Sequence, residues 1–471
     1  MSDFYNVLMI DRSIAFLLDH FPFSSKMQQM SLDQIPNGFE PLLEWLQIPS
    51  VSPDSAYEEG CRNAAQWAVD YLNASGLDEV RLYEIEGNPI VYAKHVVDPA
   101  FKTVLVYGHY DVQPSDPASE WTSDAFSPEI REGNLYGRGT ADNKGQIYCH
   151  MLAVRQLLQS GDLKCNVVFL IEGEEECSCG NLDRFCERNK ALLEADVCVI
   201  SDSAMFDYDQ PLLNVGLRGL FACELKLQSN ERDLHSGVYG NAADNPLMKL
   251  SRFITELQDS EGKIQIPGFY EKIVSASSEE LESLSDFFVS EDFVNDIGKE
   301  IEVRDFLTKT GYEPSLEIHG IIGGYIGDGL KTVIPKEASV KISFRLVSGQ
   351  TMKEAEQQFS DYCRSYFGAE RFEIDFLGGG DPWVADTTTL AFAAAETSVD
   401  QIFGARPRYL RGGGSIPIVS FLADDMGLEV ILLGLALESN CIHAPDEHIS
   451  IEGLEKGVLV VEKFYEQFAK I

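Results

Sequence analysis

The sequence is poor in basic residues: 37 lysines and arginines stand against 76 aspartates and glutamates, a formal net charge of −39 over 471 residues. A field of that sign repels nucleic acid and anionic membrane, so neither is expected as a partner. The excess is spread along the chain rather than gathered in a tail, which reads as a solvated surface. No apolar run approaches the roughly 18 residues needed to span a bilayer. The ten cysteines follow no framework, and a chain this long is not a small disulfide scaffold. Cys149, Cys165, Cys198 and Cys223 lie within apolar runs, where a thiol packs as a small hydrophobe. A reducing, cytoplasmic setting is expected. Internal repeats and low-complexity linkers are lacking too. Residues 1–35 make a poor signal peptide, without a basic start, a long apolar core or a small-residue cleavage site. They are read as a leader, or as an upstream start before Met27 or Met30.

What is present is ordinary for a globular protein, 44% hydrophobic and 10% aromatic, with length for two or three domains. Helical spacing of apolar residues predicts helices over 39–46, 60–72, 145–158, 182–193 and 451–468. Short apolar runs predict strands over 80–83, 90–93, 103–107, 167–171, 197–200, 372–376 and 430–435. Strands alternating with helices imply an α/β catalytic domain with a largely parallel central sheet. In such sheets a site lies outside the carboxyl ends of the strands. After Gly216-Leu217-Arg218-Gly219 the texture changes, with Phe221, Cys223, Leu225 and Leu227 alternating with small or polar residues. Val340, Ile342, Phe344 and Leu346 repeat that alternation, the mark of half-exposed antiparallel strands. An inserted α+β domain is therefore expected over 214–347, interrupting a catalytic domain formed by 36–213 and 348–471.

The strands end in chemistry. Val104-Leu105-Val106-Tyr107-Gly108 runs into His109, with Asp111 two residues on, placed to orient the ring. Asp142 follows Gly137-Arg138-Gly139-Thr140-Ala141 and precedes a helix, where capping is the structural alternative. Glu172-Gly173-Glu174-Glu175-Glu176 crowds carboxylates after a buried strand, and these repel unless a cation neutralises them or one is protonated. Asp202 closes Val197-Cys198-Val199-Ile200-Ser201. His443 follows a late strand-like run, and spacing alone does not choose between it and the nearby Asp446, Glu447 and His448. Histidines and carboxylates together suit zinc, with manganese or cobalt as substitutes. Their number suggests two ions, which need a bridging carboxylate and a second carboxylate to take a proton from water. Adjacent Glu175 and Glu176 can divide those roles.

These residues carry a resemblance. Gly108-His109-Tyr110-Asp111-Val112-Gln113-Pro114, the segment 137–145, Glu172 to Glu176, Asp233-Leu234-His235-Ser236-Gly237 and the segment 411–417 resemble the two-zinc metallopeptidase family of carnosinases, bacterial dipeptidases, glutamate carboxypeptidase, aminoacylases and succinyl-diaminopimelate desuccinylase. The match runs from about Phe39 to the C-terminus and is best for the dipeptidase branch. It implies that His109 and Asp202 hold one zinc, Glu176 and His443 the other, and that Asp142 bridges them. It makes Glu175 the general base and later acid, Asp111 the partner of His109, and the peptide bond after Asp142 cis. The inserted domain becomes a lid through which the chain forms a homodimer, with His235 reaching the partner's site to stabilise an oxyanion. Arg345 and the loop of Gly414 and Ser415 would grip a substrate's C-terminal carboxylate.

Two departures stand out. Asn143 replaces an aspartate common in close relatives, and Cys177-Ser178-Cys179 replaces small or apolar residues. For the thiols an added metal ligand or a redox-sensitive spot is the functional reading, simple packing the favoured one. The implied function is a dipeptidase acting on short peptides with a free C-terminal carboxylate through a zinc-bound hydroxide. An N-acyl amino acid amidohydrolase is the alternative within the same chemistry, and a non-catalytic binding paralogue the remote one.

Overall fold

The computed structural model describes residues 35–177, 181–287, 298 and 300–471. The expected leader, Ile35 apart, and Cys179 lie outside the described residues.

Apolar strands without alternation must be covered on both faces, and they are. A nine-stranded sheet holds four central strands in parallel, in the order Asn166–Glu172, Thr103–His109, Val197–Ile200 and Glu429–Leu432. Antiparallel strands flank them: Ile90–His95 and Glu79–Tyr83 on one side, Leu212–Leu217 on the other. Successive side chains point to opposite faces. Val104 and Val106 therefore enter one core cluster with helices Lys144–Ser160 and Ile451–Phe468, while Leu105 and Tyr107 enter another with Leu182, Phe185 and Cys186. Those last three lie on one face of helix Asn181–Arg188, and the expected helix over 182–193 breaks there into a short turn at Lys190–Leu192.

A second, four-stranded antiparallel sheet takes the order Ser315–Gly323, Glu337–Leu346, Gly219–Gln228 and Arg371–Gly380. Its alternating Phe221, Cys223, Leu225 and Leu227 are buried against helices Pro246–Leu257 and Met352–Phe367. This corrects the expected boundaries. The strand expected over 372–376 forms, but it pairs with Gly219–Gln228 rather than joining the large sheet. Helix Met352–Phe367 likewise packs on the second unit. That unit therefore runs to about Gly380 instead of ending at 347. At the other end Leu212–Leu217 belongs wholly to the large sheet, so the crossing falls at Arg218 rather than at 214.

The two crossing strands touch. A Cβ on Gly219 would lie 2.6 Å from Pro382 N and 2.8 Å from Gly380 O. A side chain there would force the strands apart, which is why this position requires glycine.

Candidate metal centre

Parallel strands deliver the ligands. His109 is the last residue of its strand and is fully buried. Its Nε2 faces Asp142 Oδ1 at 3.1 Å and Asp202 Oδ1 at 3.5 Å. Asp142 turns its other oxygen to His443 Nε2 at 2.9 Å, and His443 Nε2 lies 3.3 Å from Glu176 Oε2. Two ligand groups result, His109 with Asp142 and Asp202, and Asp142 with Glu176 and His443, sharing one carboxylate. All five side chains expected to meet do so, although they are spread over more than three hundred residues of sequence. The Asp142–Asn143 peptide bond is cis. Asp142 is not a helix cap; Asn143 occupies that position.

The donor set fits divalent cations on the molecule's own terms. His109 Nε2 and Glu176 Oε1 are buried without a hydrogen-bond partner among the described residues. Buried polar atoms rarely stay unsatisfied, and each exception calls for an explanation such as an ion. Burial disfavours a charged His109 ring, yet Asp202, Asp111 and Asp142 outweigh it and hold its pKa well above the ordinary value. The same carboxylates that attract a proton in a metal-free site would attract a cation.

Other residues hold the ligands in place. The His109 Nδ1 hydrogen bond goes to the main-chain oxygen of Asp111 at 3.0 Å, while the Asp111 carboxylate is 3.4 Å away. That carboxylate instead accepts from Glu176 N at 3.1 Å and from the Ser52 hydroxyl, tying the two ligand-bearing turns together. Gln113 Nε2 donates to Glu176 Oε2 at 2.8 Å, and Asn143 Nδ2 donates to Asp202 Oδ1 at 3.0 Å. An amide at 143 thus orients a ligand carboxylate where an aspartate would repel it. Glu172 ends its strand buried beside Tyr107 and does not join the ligands; burial pushes its pKa up to about 8. Cys177 Sγ donates to Glu174 O at 3.5 Å and belongs to neither ligand group.

Glu447 is the functional position that reading the sequence left unassigned. Its buried carboxylate pairs with Arg138 at 2.8 Å and accepts from the backbone N–H groups of Gly139, Ala141 and Asp142 at 2.9 to 3.1 Å. It therefore shapes the loop that carries Asp142, the carboxylate shared by the two ligand groups. Asp446 caps Thr122, and His448 stacks on Tyr136, so of the four candidates at 443–448 only His443 reaches the ligand cluster.

The ligands floor a cleft of roughly 550 Å³ whose walls include Glu175, Leu217, Leu220, Arg345 and the loop 412–417. Glu175 belongs to neither ligand group. Burial raises its pKa well above the carboxylate range; His109 opposes this, and the charges of Asp202, Glu176 and Asp142 add to it. Arg345 donates to Ser415 Oγ at 2.6 Å and forms no ion pair among the described residues. Arg218 clasps the same loop, with Nε donating to Gly413 O at 2.9 Å and its backbone N to Gly414 O at 3.2 Å. Two partly buried guanidiniums without a carboxylate, beside a loop rich in backbone N–H groups, make a ready seat for an anion. His235 is brought nowhere near: it is exposed on the second unit, its Nδ1 accepting from Gly237 N at 3.0 Å, and it does not line the cleft of its own chain.

Known proteins resemble this chain in sequence and fold. Residues 105–467 match the family model described as peptidase family M20/M25/M40. The chain is 30% identical over 462 residues to the Cys-Gly metallodipeptidase DUG1 of Candida albicans, covering 92% of this chain and 95% of that protein. It is 30% identical over 400 residues to the human Beta-Ala-His dipeptidase, covering 81% and 78%. Among solved structures, Dug1p of Saccharomyces cerevisiae superposes with a TM-score of 0.82 at 28% identity, covering 92% of this chain and 96% of that one. The metallo-carboxypeptidase Sso-CP2 of Sulfolobus solfataricus gives 0.86 at 28% identity, covering 93% and 100%. With this family match over most of its length and a paired ligand cluster at the ends of its parallel strands, the chain belongs to peptidase family M20/M25/M40 and is a metallopeptidase-type hydrolase.

Proposed function

We propose that the protein is a dipeptidase with two zinc ions per subunit, for which manganese or cobalt can substitute, acting on short peptides with a free C-terminal carboxylate. The observation that carries this reading is the Asp142 carboxylate, one oxygen facing His109 and the other His443. His109 and Asp202 hold one ion in this assignment, Glu176 and His443 the other, with Asp142 between them. When bound, such a pair of ions lowers the pKa of a shared water and polarises the scissile carbonyl. Glu175, adjacent to the cluster but outside it, takes the water's proton and returns it to the leaving amine. Arg345, Gly414 and Ser415 receive the C-terminal carboxylate, and Asp111 orients His109. The similarity to dipeptidases supports the substrate class.

Purified protein is expected to carry metal, to lose activity on chelation and to regain it with zinc, manganese or cobalt. It should cleave dipeptides in preference to N-acetyl and N-succinyl amino acids, and C-terminal amidation should raise KM strongly. Failure to take up metal would sink the reading; indifference to amidation would remove the carboxylate grip. Preference for the acylated amino acids would favour the amidohydrolase alternative.

The homodimer belongs to the same proposal. The second unit, which carries exposed His235, presents Val238, Tyr239, Ile321, Ile322, Ile326 and Leu330 to solvent, the last two 94% and 89% exposed. Exposed apolar groups support an interface, and Ser315–Gly323 is an edge strand able to pair with its copy. Reaching across, His235 would supply an oxyanion donor. His235→Ala is expected to lower kcat by about 10²–10³-fold with metal content unchanged. Mixing H235A with E175Q subunits should then restore activity that neither has alone, since one site of the mixed dimer keeps both residues. No recovery on mixing, or an unaffected rate in H235A, would exclude the shared site. We assign the protein to the cytoplasm on its buried thiols, among them Cys61, Cys149, Cys165 and Cys198.

A further inference from the structure

The cleft contains one carboxylate with no task in the reading above. Asp142, Glu175, Glu176 and Asp202 line it at the ligand cluster, whereas Glu438 lines it without belonging to either ligand group. Among the described residues its side chain has no hydrogen bond, no ion pair and no charged neighbour, and it is accessible within the cleft.

Glu438 is held by a pinned turn rather than carried on a loose loop. The preceding pair Ala436–Leu437 is bridged in parallel to Ala204–Met205. The buried Asn440 accepts from Leu437 N at 2.6 Å through Oδ1, closing the turn on itself. Beyond it, Cys441 and His443 take left-handed φ of 55° and 62°, and the latter side chain reaches Asp142. The position of Glu438 is thus coupled to that of a metal-ligand candidate five residues on. The cleft lining includes the small Ala204 and the apolar Ile442, which pack with the buried Ala141 and Ala436 behind them. Such a wall leaves room for a substrate group and lowers the local dielectric, which strengthens any ion pair formed there. Desolvation raises the Glu438 pKa, an effect that an incoming cation would oppose. The guanidiniums of Arg218 and Arg345 supply the complementary element, since neither forms an ion pair among the described residues.

Resting on the dipeptidase reading, we infer that Glu438 is a specificity residue which pairs with an ammonium or guanidinium of the substrate, so that the enzyme prefers peptides bearing a positive group near the scissile bond. The cation is either a side chain or the peptide's own α-ammonium, and three ratios of kcat/KM on the metal-loaded enzyme separate them. Lys-Ala against Glu-Ala reports the first side chain, Ala-Lys against Ala-Glu the second, and Ala-Ala against propionyl-Ala the α-ammonium, since propionyl-Ala is Ala-Ala without its amine.

In the wild type at least one ratio should favour the cation by about tenfold or more, the scale of a hydrogen bond to a charged group. In E438Q that ratio should collapse towards unity, and in E438K it should invert, with metal content and thermal midpoint matching the wild type. The ratio that moves identifies the bound cation. If the wild type cleaves none of these peptides, the dipeptidase reading falls together with this one. If it cleaves them and all three ratios survive in E438Q and E438K, the assignment of Glu438 alone is overturned.

Discussion

Glu175→Gln is expected to lower kcat by about 10²–10⁴-fold, the range over which a positioned acid–base group acts. Metal content should stay at the wild-type level. Glutamine keeps the shape and the hydrogen-bonding capacity of the side chain but cannot accept and return a proton. The separation of the two effects follows from the geometry: Glu175 supplies no atom to either ligand group, although its neighbour Glu176 does. Burial already holds the Glu175 pKa well above that of a free carboxyl. Metal analysis and steady-state kinetics on the same preparation check this directly. Near-normal turnover by metal-loaded E175Q would remove Glu175 from the chemistry, while loss of metal would recast it as a ligand.

Glu447→Ala should have the largest effect on stability. Arg138 and Glu447 are 1% and 0% exposed, and their ion pair closes at 2.8 Å. Removing one partner strands a buried charge, at a cost of about 3–5 kcal/mol. Three backbone N–H groups, those of Gly139, Ala141 and Asp142, lose their acceptor as well. Since that loop carries the carboxylate shared by the two ligand groups, metal affinity should also fall, by about 10–100-fold for the loss of a group supporting a ligand. Denaturant unfolding of metal-free protein measures the first effect and competitive metal titration the second. Glu447→Gln, which retains an acceptor but not the charge, should lie between the wild type and E447A in both. Unfolding of metal-free E447A at the wild-type denaturant concentration would show that the pair contributes nothing.

The ligand cluster was legible because its members interrupt strong local patterns. His109, Asp202 and the glutamates stand where buried apolar runs stop, and nothing about a strand end calls for them. The antiparallel unit was legible from alternation, and the strand at Arg371–Gly380 was misplaced although Phe372, Ile374 and Phe376 alternate in the same way. Glu447 was obscured for a different reason. Its partners are main-chain amides and an arginine some three hundred residues earlier, and a sequence does not display its own backbone contacts. The turn at 443–448 hid the choice among ligands, because left-handed residues at Cys441, His443 and Asp446 scramble any periodic argument about which side chain faces inward. The role proposed for His235 rests on the motif alone, since His235 does not line the cleft of its own chain.

The crossing at Arg218 has a mechanical consequence. Ser415 belongs to the body that holds the ligands, Arg345 to the other, and Arg218 ties the shared loop to the strand that joins them. Any swing of one body against the other must therefore be geared through the residues that would hold a peptide's tail. Under the proposed function, departure of the freed amino acid would be tied to loosening of this joint, so substitutions far from the ligand cluster would be expected to change turnover.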